Sequence, residues 1–316
     1  MNLTEGAVLG LVQGLTEFLP VSSSAHLRVV AALAGWEDPG AAFTAVTQIG
    51  TAAAVIVYLR SDITRMGRAW LRSVGGSGRE GPGGDVRSGR ARRAATRSDA
   101  RPGTGPGPAR PDEADEARMA WLIAAGTVPI GACGYLFEDV IKGRLRDLRL
   151  TAGTLAGVGL LLGAADRWAG SRAVPRRPLA ELSTRDGMLI GLAQATALIP
   201  GVSRSGATIG GGLMLRYSRE AAARYSFLLA VPAVAVSGAF GLDRLYREAR
   251  QPASTVAWGP LGAASVMAFL VGYAAIAWFL RYVSAHGFAP FVVYRVGLGL
   301  LLLALVLAGR MPAVPA

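Results

Sequence analysis

Apolar residues occur in long blocks along this chain, and the length of each block predicts the kind of helix it forms. A helix that crosses a lipid bilayer needs about 20 apolar residues, within a range of about 17 to 25. Six blocks reach that length, at 42–59, 119–137, 150–166, 222–242, 258–280 and 289–309. We therefore predict an all-α polytopic membrane protein with six full transmembrane spans.

Four further blocks of 11 to 17 residues form two pairs, 3–19 with 25–35 and 186–200 with 206–216, and polar residues interrupt the one that reaches 17. A proline interrupts each pair, at Pro20 and at Pro200-Gly201, and proline is poorly tolerated inside a helix. Each block is too short to cross the bilayer comfortably. Irregular backbone at membrane depth is stable only where it is buried in protein or lines a wet cavity. Each pair therefore predicts a re-entrant hairpin that turns inside the membrane.

The two hairpins share a common pattern. In each, a glutamine (Gln13 or Gln194) precedes a proline and a serine-rich turn, and three full spans follow. Arginine clusters at 60–118, 167–185 and 216–224 place the loops that contain them inside the cell. The hairpins then enter from opposite sides, and both chain ends lie outside.

This arrangement predicts an inverted-topology repeat whose two breaks meet near the bilayer midplane. Repeat one covers about residues 1–166 and repeat two about residues 186–310, within a single integral membrane domain that spans 1–316.

Composition supports a membrane protein and excludes several soluble classes. Charged residues make up 17% of the chain and hydrophobic residues 52%, against about 25% charged in an ordinary globular protein. Mean hydropathy is +0.37. The net charge of +12 comes from arginine-rich loops, without the basic stripe and interleaved aromatic residues that indicate nucleic-acid binding. The single cysteine, Cys133, excludes an intrachain disulfide.

Two segments that follow the first span have a different character. Residues 61–73 place Ile63, Met66 and Trp70 on one side and arginines elsewhere, which predicts an interfacial helix. Residues 74–117 are rich in Gly, Pro, Ser, Arg and acidic residues, which predicts a disordered cytoplasmic loop.

Polar residues in the first hairpin indicate a chemical function. Glu17 lies one helical turn from Gln13, and an ionisable group in an apolar setting is costly and usually functional. Three serines and His26 follow the break. A helix cap explains one serine. Ser23 and His26 would share a helix face, and a hydroxyl beside an imidazole is the minimum for an activated nucleophile.

The second hairpin contains Arg204 among the hydroxyls of Ser203, Ser205 and Thr208. A buried arginine needs a counter-charge, so one interpretation is a structural ion pair with Glu17. The other is an anion site, because arginine presents a planar fork of donors to phosphate and a helix N-terminus attracts anions. Taken together, the two hairpins predict a phosphate-handling site inside a membrane.

At these residues the chain resembles a known family. The segments 13–26 (QGLTEFLPVSSSAH) and 200–208 (PGVSRSGAT) resemble the two signature motifs of the undecaprenyl-diphosphate phosphatase family of the bacitracin-resistance type. The stretches 191–194 (GLAQ), 225–232 (YSFLLAVP) and 290–295 (PFVVYR) are also similar. The resemblance covers nearly the whole chain except about 74–117, which it identifies as an insertion.

The resemblance implies a multi-pass enzyme of the bacterial plasma membrane. Such an enzyme hydrolyses undecaprenyl diphosphate to the monophosphate and phosphate, which recycles the lipid carrier for the cell wall and confers bacitracin resistance when abundant. The family fold consists of interdigitated inverted repeats with re-entrant helices, and its active site is placed facing outside. The resemblance also implies dependence on a divalent cation, Mg²⁺ or Ca²⁺.

Site roles follow from the same resemblance, position by position. Glu17 and His26 correspond to the acid/base and metal-linked residues, Ser23 to the proposed nucleophile, and Ser203, Arg204 and Thr208 to the diphosphate-binding motif. We expect the polar residues beside these positions to bind substrate as well: Ser22, Ser24, Gln194 and Ser205. One departure concerns Gln13, where many relatives have Glu. An amide oxygen can still bind a hard cation but brings no charge, so we expect Glu17, with Gln13, to hold the metal.

Several alternatives stay open from the sequence. The nucleophile is Ser23, His26 or a water activated by His26. A transporter or flippase of the lipid carrier would have the same repeat architecture, although binding alone needs no pair like Ser23 and His26. The chain is expected to bind a lipid substrate and the membrane but no nucleic acid, and the formation of a homodimer is left open.

Overall fold

The computed structural model describes residues 1–75, 113–137, 140–141, 143, 145, 147–170, 176–251, 257–311 and 313, apart from the side chain of Ala41. Within these residues the regular structure is helical, with one isolated parallel bridge between Arg177 and Tyr217. The predicted all-α fold is confirmed.

The described residues form eleven α-helices and two short 3-10 helices, Leu179–Glu181 and Thr196–Leu198. The α-helices are α1 (Leu3–Phe18), α2 (Ser23–Ala34), α3 (Gly40–Tyr58), α4 (Arg60–Gly75), α5 (Glu113–Leu136), α6 (Leu148–Gly170), α7 (Thr184–Ala195), α8 (Arg204–Met214), α9 (Arg219–Ala249), α10 (Trp258–Ala285) and α11 (Ala289–Leu307).

Five of these helices, α5, α6, α9, α10 and α11, are long and apolar enough to cross a membrane. Each coincides with one predicted span. The remaining span, predicted at 42–59, coincides with α3, which qualifies together with α4. The described residues therefore hold five candidate spans, or six with the α3–α4 pair.

Both predicted hairpins are helix–break–helix segments. α1 ends at Phe18, and Leu19 is extended at φ −70° and ψ 144° because Pro20 cannot continue the helix. α7 tightens into the second 3-10 helix, and the chain is extended again at Ile199, with φ −79° and ψ 120°. The second half-helices, α2 and α8, begin after Ser22 and Ser203 respectively.

The described chain divides into two compact units. The smaller unit, Ser61–Trp121, contains most of α4 and the start of α5. Arg65 donates to Glu116 at 2.9 Å, and the Trp70 ring packs edge-on against Trp121. In α4, Met66 is buried and Arg65 is exposed, the amphipathic pattern that the sequence predicted.

The predicted loop 74–117 falls mostly outside the described residues, at 76–112. Its two ends are helical instead, because α4 continues to Gly75 and α5 begins at Glu113. Three carboxylates in the first turn of α5 favour a helix that starts there, since acidic groups stabilise the positive N-terminal end of a helix.

The larger unit, Met1–Arg60 with Leu122–Ala316, contains both hairpins. α1 packs closely on α10, and a Cβ atom at Gly10 would lie 2.2 Å from the carbonyl oxygen of Ala264. α8 packs on α6 and on α9. Each hairpin therefore packs against a long helix from the other half of the chain, as expected for interdigitated repeats.

A partly buried ion pair connects two long helices and the turn that precedes a third. Arg219 at the start of α9 donates to Asp166 of α6 at 2.5 Å, and the same carboxylate accepts the backbone amide of Phe288 at 2.9 Å. Since breaking such a pair leaves an uncompensated buried charge, this contact connects α6, α9 and the turn before α11.

A second polar cluster holds the beginning of the second hairpin. Asp186 in the first turn of α7 accepts hydrogen bonds from Arg177 and Tyr217, both at 2.7 Å. Burial, together with the hydrogen bond to Asp186, raises the pKa of Tyr217 to about 12. The hydrogen bond to Asp186 likewise raises the pKa of Arg177. Both groups therefore keep their protons at neutral pH.

Candidate active site

Each break ends at a serine with unusual backbone geometry. Ser22 has φ 74° and ψ 94°, and Ser203 has φ 71° and ψ 121°. A positive φ is uncommon outside glycine and costs on the order of 1–3 kcal/mol, so it persists only where the surrounding structure enforces it. Strain of this kind concentrates at functional sites, and here it occurs at the same position of both repeats.

Glu17, near the end of α1, joins the two hairpins. Its Oε2 accepts hydrogen bonds from Gln13 Nε2 at 2.8 Å and from Ser23 Oγ at 2.6 Å. Its Oε1 accepts from Arg204 Nη2 at 2.9 Å. The Glu17 side chain is 4% exposed. The carboxylate, the hydroxyl and the guanidinium that the sequence singled out therefore meet at one point.

Arg204, the first residue of α8, uses only part of its guanidinium for that ion pair. Its Nη1 is buried and has no acceptor within the described residues. A buried donor without a partner costs about 1–3 kcal/mol, so its position calls for a ligand. The pair with Glu17 is present, and it leaves one arm of the arginine available to an anion.

His26 lies one turn into α2, and its two ring nitrogens have separate partners. Nδ1 lies 2.7 Å from the Ser22 carbonyl oxygen, and Nε2 lies 2.6 Å from the Tyr294 hydroxyl. Because a carbonyl only accepts, Nδ1 carries the hydrogen, and in the neutral ring Nε2 accepts from Tyr294. The hydrogen bond of Ser23 goes to Glu17, so the described contacts pair that serine with the carboxylate.

The hydroxyls of the second hairpin mostly hold the backbone. Ser203 Oγ accepts the amide of Gly206 at 3.1 Å and caps α8. Ser205 Oγ donates to the carbonyl of Leu19 at 2.9 Å and so ties α8 to the first break. Thr208 Oγ1 lies 2.6 Å from Ser226 Oγ on α9.

The remaining predicted residues differ in their surroundings. Ser22 Oγ lies 3.3 Å from Ser24 Oγ, and Ser24 is exposed. Gln194 is fully buried on α7, and neither its Nε2 nor its Oε1 has a partner in the part of the chain that the structure describes. Gln194 therefore joins none of the contacts around Glu17.

Sequence reasoning assigned no role to Tyr294 and Arg295 on α11. Tyr294 reaches His26, and Arg295 is fully buried and contacts both breaks. The signal for Arg295 was available, because a lone charge inside an apolar span is usually functional. No sequence signal connects Tyr294 with a histidine 268 residues away.

Two oxygen ligands suit a hard cation. Gln13 Oε1 is buried and has no partner among the described residues, and the Glu17 carboxylate lies one turn further along α1. Hard divalent cations prefer carboxylate and amide oxygens. No group of three or more His, Cys, Asp or Glu side chains within the described residues could hold a metal. Gln13 Oε1 and the Glu17 carboxylate, which already accepts three hydrogen bonds, are therefore the oxygen atoms that this part of the first hairpin offers to a cation.

Comparison with known proteins shows which family has this sequence pattern. The family model described as "Bacitracin resistance protein BacA" matches residues 6–301. The chain belongs to the BacA family. That match includes both hairpins, and with the apolar helices it makes the chain a multi-pass bacterial membrane protein.

Known proteins from other bacteria are similar to this chain over nearly their whole length. The chain is 55% identical to Undecaprenyl-diphosphatase 3 of Frankia alni, over 99% of this chain and 98% of the relative. It is 56% identical to Undecaprenyl-diphosphatase 2 of Frankia casuarinae, over 98% and 97%. It is 49% identical to Undecaprenyl-diphosphatase 2 of Streptomyces avermitilis, again over 98% and 97%.

Proposed function

We propose that this chain hydrolyses undecaprenyl diphosphate to undecaprenyl phosphate and inorganic phosphate, as the names of its relatives indicate for them. The observation that carries the proposal is the Glu17 carboxylate, which binds Ser23 of its own hairpin and Arg204 of the other. A hydroxyl, a proton acceptor and a phosphate-binding guanidinium are the groups that phosphoryl transfer to a protein side chain requires.

The diphosphate has two donors available to it. Arg204 Nη1 has no acceptor among the described residues. The N-cap residue of α2, Ser22, makes no side-chain hydrogen bond to the first amides of that helix, which leaves them without a side-chain acceptor. A helix N-terminus attracts phosphate through these amides and the helix dipole. The terminal phosphate would therefore bind directly beside Ser23, the first residue of α2.

In the first step the Ser23 hydroxyl attacks the terminal phosphorus. Its proton moves to Glu17 Oε2, which already accepts the Ser23 hydrogen bond at 2.6 Å. The bond between the phosphorus and the bridging oxygen breaks, and undecaprenyl phosphate leaves with the bridging oxygen. Arg204 and the α2 amides stabilise the charge that develops on the phosphoryl oxygens.

In the second step a water molecule attacks the phosphoserine. The Ser23 oxygen leaves and takes back the proton held by Glu17, and the oxygen and hydrogens of the water depart with inorganic phosphate. His26 orients the break, because its Nδ1 hydrogen bonds to the carbonyl of Ser22 next to the nucleophile. Water attacking the diphosphate directly, with His26 as its base, would require His26 to release Tyr294 first.

A divalent cation, Mg²⁺ or Ca²⁺, is part of the proposal. Gln13 and Glu17 would hold it, and when bound it supplies positive charge that neutralises the phosphates. Hydrolysis of this lipid carrier returns it to cell-wall synthesis, and an abundant enzyme would confer bacitracin resistance by consuming the diphosphate form.

The decisive experiment is phosphate release by the purified protein reconstituted in lipid vesicles with undecaprenyl diphosphate. We expect turnover by the wild-type chain and none above background by Ser23→Ala. Binding of the lipid without phosphate release would instead indicate a transporter or flippase, the alternative that the paired broken helices favour.

A further inference from the structure

Arg295 on α11 is fully buried and donates hydrogen bonds to three separate segments. Its Nε bonds to the carbonyl of Leu155 on α6 at 3.1 Å. Its Nη1 bonds to the carbonyl of Pro20 in the first break at 2.9 Å. Its Nη2 reaches the carbonyls of Gly201 and Val202 in the second break at 2.9 and 3.0 Å. One side chain thus contacts both breaks.

These carbonyls need donors for a simple reason. Backbone carbonyls inside a break lie outside the hydrogen-bond pattern of the helices, and in a membrane each unsatisfied carbonyl costs several kcal/mol. Two neighbouring carbonyls have other donors: Leu19 accepts the Val21 amide at 2.8 Å and the Ser205 hydroxyl at 2.9 Å, and Pro200 accepts the Thr154 hydroxyl at 2.5 Å. Within the described residues, Arg295 is the side chain whose donors reach carbonyls of both breaks.

The space for Arg295 is provided by two glycines. A Cβ at Gly159 on α6 would lie 3.0 Å from the Cβ of Arg295, and a Cβ at Gly206 on α8 would lie 3.1 Å from its Nη1. All four hydrogen bonds of Arg295 within the described residues go to backbone carbonyls. Its contacts therefore differ from those of Arg204, which bonds to a carboxylate.

The carbonyls that Arg295 holds are adjacent to the reactive side chains. Pro20 lies three residues after Glu17, and Val202 lies two residues before Arg204. We propose that Arg295 is a positioning residue that holds the two breaks against each other, so that Glu17 and Arg204 meet in one site. The proposal rests on the proposed function for its kinetic readout alone.

The test compares two lysine substitutions in the reconstituted full chain. Arg295→Lys keeps the charge but loses the fork that reaches three segments. Arg219→Lys is the matched control, because Arg219 is also largely buried but bonds through one nitrogen to Asp166, far from either break in sequence. For each variant we would measure amide hydrogen exchange of peptides covering 19–26 and 199–208, together with kcat, KM and the thermal midpoint.

For Arg295→Lys we expect faster exchange in both peptides and a loss of about 100-fold in kcat, the size that a misplacement near 1 Å produces, with a smaller change in KM. For Arg219→Lys we expect wild-type exchange at the breaks and wild-type kcat, whatever its thermal midpoint. Equal exchange and equal kcat in the two variants would overturn the proposal.

A second variant covers the case in which Arg295→Lys does not fold. Gly159→Ala would place a Cβ 3.0 Å from the Cβ of Arg295 and so push that side chain from its position without changing its charge. Faster exchange in both the 19–26 and the 199–208 peptides, with a loss of kcat, supports the proposal, and wild-type exchange in both peptides with full kcat contradicts it. If the wild-type chain released no phosphate, the proposed function would fail, and the exchange comparison would still decide the role of Arg295.

Discussion

The two hairpins have the same backbone plan and different chemistry. In both, a short helix ends near a proline, the chain is extended, and a serine with φ near +70° begins a second short helix. The first hairpin contains Glu17, Ser23 and His26, and the second contains Arg204 with hydroxyls around it. The same backbone plan therefore presents a carboxylate with a hydroxyl in one hairpin and a guanidinium in the other.

The second half-helices of the two hairpins also differ in how their N-termini are capped. Ser203 Oγ accepts the amide of Gly206 and closes the N-terminus of α8. Ser22 makes no side-chain cap, and the N-terminus of α2 stays open. An uncapped helix start can bind an anion, so the terminal phosphate is expected at the first hairpin and the arginine comes to it from the second.

The largest effects should come from the first hairpin. Ser23→Ala and Glu17→Gln should each lower kcat by about 10⁴-fold, and the double variant by little more, because both disable the same step. In the double-mutant cycle of Ser23→Ala with His26→Ala, the losses of kcat should be closer to additive, since Ser23 bonds to Glu17. Phosphate-release kinetics of the variants measure both cycles.

Additive losses of kcat in the Ser23–Glu17 double-mutant cycle would contradict this assignment, because the two residues would then act independently. Strong coupling of Ser23 with His26 instead would restore the pairing that the sequence alone suggested.

Substitution in the second hairpin should reduce activity by less than substitution in the first. Arg204→Ala should lower kcat/KM by about 10²- to 10³-fold, the range for the loss of one preorganised charge donor. Arg204→Lys should recover part of the loss, because it restores charge without the fork. Turnover near wild type in correctly inserted Arg204→Ala would show that the arginine is only a structural partner of Glu17.

The two buried glutamines give a matched pair of moderate effects. Gln13→Ala should raise the Mg²⁺ or Ca²⁺ concentration for half-maximal turnover by about tenfold, equal to about 1.4 kcal/mol for one lost oxygen ligand. Gln194→Ala should raise KM and leave the cation response unchanged, since its amide lies apart from the contacts of Glu17. Chelation followed by cation titration of each variant separates them. If Gln194→Ala raised the cation concentration for half-maximal turnover and Gln13→Ala did not, Gln194 would be the cation ligand and Gln13 would not.

The smallest effect tests the caps. Ser22→Ala and Ser203→Ala both keep a Cβ at a positive φ, and each loses one contact to the serine two residues further on. Their difference therefore reports mainly the cap hydrogen bond of Ser203. We expect Ser203→Ala to be less stable than Ser22→Ala by about 1 kcal/mol in free energy of unfolding. Denaturation in detergent micelles measures this, and equal stabilities would mean that the caps do not distinguish the hairpins.

The sequence predicted most of the fold because the membrane imposes simple rules. Block lengths located α5, α6, α9, α10 and α11, and the prolines located both breaks. The boundaries moved by a few residues, as for α5, which begins at Glu113 and not at the predicted 119. Apolar length does not register the charged first turn of a helix, although acidic residues stabilise it.

The site was predictable as a set of residue types and not as a set of bonds. Glu17, Ser23 and Arg204 were identified because charges and hydroxyls are costly in apolar segments. Their partners were open, because helical spacing of Ser23 and His26 places two residues on one face without deciding which other side chain each one meets.

By itself the sequence determined the class of protein, the two broken hairpins and the candidate chemistry, since hydropathy, proline and buried charge act locally along the chain. Only the tertiary structure decided that Ser23 bonds to Glu17, that the Tyr294 hydroxyl hydrogen bonds to His26 Nε2, and that Arg295 connects the breaks. The Glu17–Arg204 and Pro20–Arg295 contacts join residues 187 and 275 positions apart. Contacts at that separation depend on how whole helices pack, and no local pattern encodes them.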